Sequence, residues 1–392
     1  MQPRILVLDG NQRASLAAVR SLGAKNLWVA VGESSETSMA GSSRFCSHQV
    51  RYSDPFLSPR AFFDDVLQSA EALGITFLLP ITEATTFALL KYRKEVPDNV
   101  VLPFASTDSV ELLANKNELF RLAESLNIPI PETIYCQDRQ QGLEALDKVD
   151  QFPVVLKPFK SRILEDYAIT PTHVIIARTD AEARNALDSE PFFDFPFTVQ
   201  SFIEGHGQGV FALFDNGEPV GFFAHRRLRE KPPGGGVSVL CESASVDPKL
   251  RDYSEKLLRH AHWHGVAMVE FRVSADNRAY LMEVNTRFWG SLQLAIDSGI
   301  DFPWWLYQIN TGQTVAVSNQ KFRRVRWLLG DLDRLYLILK APLDVYPISQ
   351  KLKEIFYFLK PNAKTRHEVN RIRDLRPFLY ELRAYLKALT RL

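Results

Sequence analysis

Cysteine is scarce: Cys46, Cys136 and Cys241 are the only three in 392 residues, odd in number and far apart. That excludes a disulfide framework and a thiolate metal cluster, and it suits a reducing compartment; the cytoplasm is the expectation. No apolar run approaches the length that crosses a bilayer, and Ile5-Leu6-Val7-Leu8 is too short for the core of a signal peptide. Glycine is thin where a dinucleotide would need it. The turn Asp9-Gly10-Asn11-Gln12-Arg13 has one glycine, whereas the dinucleotide fingerprint uses three for close approach to pyrophosphate. Net charge is almost absent at +1, and no nucleic-acid partner is expected.

What is present is the balance of a globular protein, with 46% hydrophobic and 24% charged residues. The length suffices for two or three units with substantial cores. The neutral total hides an asymmetry, because residues 321–392 hold 17 of the 47 basic but only 7 of the 46 acidic side chains. A tail of that sign suits an acidic face of its own body, an anionic lipid surface or, against the expectation for the whole chain, nucleic acid.

The most informative stretch is 266–290. Residues 266–273 and 279–285 alternate in character around Asp276-Asn277, a pair that tolerates left-handed backbone, so the stretch predicts a β-hairpin. With a two-residue turn, Phe271 faces Met282, Val269 faces Val284 and Val273 faces Tyr280 on an apolar face. The opposite face then sets Glu270 against Glu283, with Asn285 beyond it and Arg287 on the same side if the strand continues. Like charges directly opposite destabilise a sheet unless a cation lies between them. Two carboxylates and an amide oxygen suit Mg²⁺ with positions left for water and phosphate; solvated acids on a surface hairpin are the competing reading.

Glu270 followed by Glu283-x-Asn285-x-Arg287 resembles the metal-binding signature of the ATP-grasp superfamily. Within it, MEVNTRFWG and HRRLREKPPGGGVS look most like the uncharacterised carboxylate-amine ligase branch. The resemblance implies an α/β chain, α+β in its nucleotide clamp, with four parts. These are a Rossmann-like domain at 1–105, a lysine-bearing half at 106–195, a metal-binding half at 196–312 and a basic helical extension at 313–392. It implies ATP and Mg²⁺, or Mn²⁺ in its place, with Glu270, Glu283 and Asn285 as ligands and Arg287 meeting the transferred phosphate.

The remaining site residues follow from the same likeness. Lys116, in Asn115-Lys116-Asn117 before an Ile-Pro-x-Pro step, would reach nucleotide phosphate. Lys157 closes the apolar strand Phe152-Pro153-Val154-Val155-Leu156, and an anion above it explains it better than a lysine snorkelling at a sheet rim. Many relatives follow this lysine with a glycine-rich cover for the phosphates. Here Phe159-Lys160-Ser161-Arg162 has no glycine, so side chains would substitute for amides. Backbone around Gln200, Ser201, Phe202 and Ile203 would hold adenine, with Gln200 replacing the usual acid.

His225-Arg226-Arg227-Leu228-Arg229-Glu230-Lys231 counts five cations before Pro232-Pro233-Gly234-Gly235-Gly236. It reads as a mobile basic lid with Arg226 or Arg227 at the substrate, or else as a solvated loop. The turns 9–13 and 82–85, at strand C-terminal ends, suit the acceptor substrate or are ordinary loop polars. Residues 251–264 read as one helix whose His260 and His264 share a face without the Glu of a zinc motif. The tail predicts short helices broken at Pro342, Pro347 and Pro361, packed on the body or on a second copy in a homodimer, with peripheral membrane contact as the minority reading.

The implied activity joins a small-molecule carboxylate, activated as an acyl phosphate, to an amine or other nucleophile, with release of ADP and phosphate. A phosphotransferase on the same scaffold and a nucleotide-binding assembly protein without turnover are the alternatives.

Overall fold

A computed structural model describes residues 3–165, 168–317, 320–360, 362 and 364–389; the expected break at Pro361 lies outside them. Strands Arg4–Val7, Trp28–Glu33, His48–Arg51 and Phe77–Leu79 form a parallel sheet in the order third, second, first, fourth. The three strands other than His48–Arg51 are largely buried, as a parallel sheet covered on both faces by helices requires. Helix Pro59–Leu73 starts where Ser58 accepts the Ala61 amide, and it stops at Gly74, whose φ of 63° suits a residue without Cβ.

Asp9 ties two loops of this sheet together. It accepts the Ile81 amide at 3.0 Å, the Thr82 amide at 2.9 Å and the Thr85 hydroxyl at 2.7 Å. Burial pushes its pKa up while these donors oppose the shift. The Asp9 carboxylate is thus engaged in fixing the two turns relative to each other.

The middle of the chain builds an antiparallel sheet in the order Thr133–Cys136, Phe197–Ser201, Val154–Pro158, Ile175–Ala177. A seven-stranded sheet follows. Its order is Ala279–Asn285, Gly265–Val273, His206–Asp215, Glu218–Lys231, Val237–Ala244, Arg324–Arg326, Thr365–His367.

The last two strands come from the tail, which the sequence pattern presented as helical throughout. Arg324-Val325-Arg326 alternates with period two, burying Val325, but three residues are too few to announce a strand before a neighbour supplies hydrogen bonds. The tail is also anchored by ion pairs: Asp374 to Arg20 at 2.8 Å, Glu368 to Arg13, and Arg371 to Asp297 at 2.6 Å. Helices Leu328–Lys340, Ile348–Leu359 and Arg376–Leu389 complete it. Among the described residues, no helix is long and apolar enough to cross a membrane.

The hairpin forms with a corrected register. Met268 faces Asn285, Val269 faces Val284 and Glu270 faces Glu283, as the two-residue turn predicts. A one-residue shift after Glu270 then sets Phe271 against Leu281 and Val273 against Ala279, not Met282 and Tyr280. The loop is the cause. Ser274 donates its amide to Arg278 O and Asn277 alone in this turn takes a left-handed φ of 62°, so three residues lie between the paired Ser274 and Arg278 and the irregularity absorbs the extra one. Phe271, Leu281, Val269 and Val284 enter one core cluster with Trp263. Phe271→Ala should therefore cost about 3–5 kcal/mol in a urea unfolding titration.

Candidate functional site

Glu270 and Glu283 stand side by side because adjacent strands bring them into register, and the structure surrounds them with cations from four separate places. Lys116 opens helix Lys116–Ser125, whose cap Asn115 accepts the Asn117 and Glu118 amides. Its Nζ lies 3.7 Å from Glu283 Oε2 and 3.4 Å from Ser161 Oγ. Lys157, 7% exposed near the end of its strand, donates to Met282 O at 3.3 Å. Arg227 Nη2 donates to Glu270 Oε1 at 3.3 Å. Arg287, just past the end of the strand, donates to Asn285 Oδ1 at 3.2 Å, and Asn285 Nδ2 donates to Glu283 Oε1 at 3.1 Å.

The pair is electrostatically unequal. Burial and the neighbouring Glu283 raise the pKa of Glu270, against which Arg227 and Arg287 act. Burial also pushes Glu283 upward, but Lys116, Lys157, the Asn285 amide and Arg287 hold it below the usual range. Burial pushes Lys157 down to about 8, with Glu283 opposing the shift. Among the described residues, no three His, Cys, Asp or Glu side chains converge as a self-sufficient metal cage. Two carboxylates and an amide oxygen nonetheless fit a hard divalent cation that completes its shell with water and phosphate oxygens.

The basic segment is a strand, not a lid loop, and its alternation separates Arg226 from Arg227. Arg226 is 71% exposed and pairs with Glu242 across the next strand, on the sheet face away from the carboxylate pair. Arg229 pairs with Asp331 and Lys231 with Asp333, so Arg227 alone of the segment's four charged cations reaches Glu270. The fifth counted cation is none. His225 is buried, and burial with help from Arg227 drives its pKa down to about 3. Its Nδ1 lies 3.2 Å from Ser291 Oγ, its ring 4.7 Å from that of Phe211, and it lines the same cavity as Arg227 and Glu270. Its place two residues before Arg227 on a strand was the signal for it. The loop reading hid that.

The expected adenine hinge is partly used by the fold. Ser201 donates its amide to Glu132 O at 3.0 Å and Ile203 O accepts Arg272 Nε at 3.2 Å. Gln200, 2% exposed, donates its side-chain amide to Thr133 Oγ1 at 2.8 Å. Phe202 is half-buried at the end of the strand. Where relatives carry a glycine-rich cover, strands Arg162–Leu164 and Ile169–Pro171 pair in a small hairpin. Lys160 is engaged by Glu111.

The cavity of about 600 Å³ beside the carboxylate pair adjoins a second of about 470 Å³, the two sharing Arg13, Val237, Arg287 and Trp289. Asp9, Thr82 and Glu83 line the second, so both loops singled out at strand ends meet there. Glu83, inside the 82–85 turn but not singled out in the sequence, lies 3.5 Å from Arg287. Its place at the start of helix Glu83–Lys91 marked it only as a first-turn acid. The paired histidines do not persist: helix Pro248–His260 ends at His260, and His264 lies 3.1 Å from Asn310 Oδ1 and 3.3 Å from Asp215.

With this geometry in place, comparison with known proteins is informative. Residues 196–330 match the family model described as ATP-grasp in the biosynthetic pathway with Ter operon. A pyruvate carboxylase of Aspergillus terreus is 24% identical over 271 residues, 64% of this chain and 22% of that protein; the chain spans about a fifth of the length of the curated relatives it matches. Among solved structures, the biotin carboxylase of Campylobacter jejuni aligns with a TM-score of 0.62 at 15% identity, covering 80% of this chain and 72% of that one. The N5-carboxyaminoimidazole synthetase of Staphylococcus aureus aligns at 0.63 and 13%, covering 88% and 89%. The chain has the ATP-grasp fold, and its residues 196–330 are similar to an ATP-grasp family.

Proposed function

We propose that this protein is an ATP- and Mg²⁺-dependent ligase of the carboxylate-amine type. The observation that carries the reading is the Glu270–Glu283 pair ringed by Lys116, Lys157, Arg227 and Arg287. Opposed half-buried acids under that many cations are poised for a metal and a polyanion together. Magnesium, held by Glu270, Glu283 and the Asn285 oxygen, would neutralise charge on the β- and γ-phosphates.

The other parts follow from position. Lys116 and Lys157 would bind phosphate oxygens, and the segment Gln200–Ser201–Phe202–Ile203 would border adenine. The acid substrate would occupy the cavity beside Arg287, its carboxylate oxygen displacing ADP from the γ-phosphorus to give an acyl phosphate. An amine nitrogen then attacks the acyl carbon, the C–O bond to phosphate breaks, and the nitrogen sheds its proton as inorganic phosphate leaves. Arg287 and Arg227 would meet the charge that builds on the transferred group.

The test is ADP release with mixtures of carboxylates and amines. Release that needs both, with an amide product, supports the ligase; release with one acceptor and a phosphorylated product supports phosphotransfer instead. Since Arg227 faces the pair and Arg226 faces away, Arg227→Ala should lower kcat/KM about 10²-fold, whereas Arg226→Ala should change it less than about threefold. Equal losses in the two variants would contradict the assignment of faces.

A further inference from the structure

The face of the seven-stranded sheet turned away from Arg227 carries a cleft of about 590 Å³. Register explains its lining. Glu242 faces Arg226 on one side and Arg324 on the other, and Leu240 faces Arg326, so these side chains alternate away from Cys241, Arg227 and the carboxylate pair. Arg229 enters from the irregular end of its strand, and Lys360 from the end of helix Ile348–Leu359.

Charge in the cleft is unbalanced. Asp331 is fully buried and shared by Arg229 at 2.6 Å and Arg326 at 2.7 Å; Glu242 is shared by Arg324 and Arg226. Lys360 has no carboxylate partner among the described residues. Four lining cations thus stand against two carboxylates, one of them also serving Arg226. Two lining nitrogens, Arg326 Nη2 and His367 Nδ1, are buried without a hydrogen-bond partner. A buried guanidinium N–H left unpaired is costly, and an oxygen ligand relieves that cost.

We propose that this cleft binds a phosphate group bearing two negative charges. The surplus of about two positive charges matches a phosphate dianion, and arginines approaching from two strands can donate to several of its tetrahedral oxygens at once. The group belongs either to a free phosphorylated molecule or to a lipid headgroup. The second source has structural support beside the cleft mouth, where Ile348, Leu352, Phe356 and Leu359 of one helix are all exposed.

The test uses the full chain in metal-free buffer. Inorganic phosphate should bind the native protein by calorimetry, and bind the double variant Arg324→Gln/Lys360→Gln at least about tenfold more weakly. Arg226 still pairs with Glu242 in the double variant, so no bare acid is left; unchanged circular dichroism and elution volume check its fold. Sedimentation with vesicles of phosphatidic acid but not phosphatidylcholine, lost in the double variant, would assign the phosphate to a headgroup. Phosphate binding without vesicle binding would assign it to a free ligand. The proposal fails if the native protein binds neither probe or if the double variant binds like the native protein.

Discussion

Glu283→Gln should abolish nearly all metal-dependent ADP formation, by about 10²–10³-fold, while the protein stays folded. Its carboxylate, the proposed metal ligand, is the one that Lys116, Lys157 and Arg287 keep ionised, and a neutral amide removes that charge without opening a cavity. Several kcal/mol of charge stabilisation at the transferred phosphate would go with it, and each ~1.4 kcal/mol is tenfold in rate. Two stability effects oppose each other: Lys116 loses a carboxylate 3.7 Å away, and Glu270 loses a like charge directly opposite. The thermal midpoint should therefore move by only a few degrees. Turnover equal to that of the native protein, measured by coupled ADP release at saturating Mg²⁺, would remove the role assigned to the pair.

The second large effect is expected at Lys157, with opposite signs for binding and for stability. A charged lysine buried near the end of a strand, its pKa pushed down to about 8 from 10.5, costs the metal-free protein stability. The unfolded chain holds the proton more tightly, so that cost is fully present below pH 8 and fades as pH rises from 8 to 10.5. Lys157→Met should thus be more stable than the native protein at pH 7 by ~1–3 kcal/mol in urea titrations, with the difference closing near pH 10.5. The same variant should bind ATP roughly 10–100-fold more weakly, having lost a charge-assisted contact to phosphate. A variant less stable at pH 7 would mean that Lys157 is a net structural asset; undiminished ATP affinity would place the nucleotide elsewhere.

The two acids were legible in the sequence because a strand has a period of two, and the register at Glu270 and Glu283 survives the one-residue irregularity nearer the turn. That irregularity was not legible. Asp276-Asn277 fits a two-residue and a three-residue loop almost equally, and the choice falls to how Phe271 and Leu281 fill the core. The basic segment shows the converse. Three glycines after it suggested mobility, but each long basic side chain on it finds a carboxylate on another strand or on helix Leu328–Lys340. Whether a polar stretch is loop or strand depends on what lies beside it, and strand propensity is largely a neighbour effect.

Local pattern alone determined the strands leading into the 9–13 and 82–85 turns, the hairpin that opposes Glu270 and Glu283, and the strand that carries Lys157. All of these rest on periodicity and turn chemistry among residues close in the chain. Only the tertiary structure decided that Lys116 and Lys157 converge on Glu283, that Arg227 rather than Arg226 faces Glu270, that His225 is neutral, and that the tail completes the central sheet. Those outcomes depend on desolvation and on distances between segments far apart in sequence, and neither exists until the chain has folded.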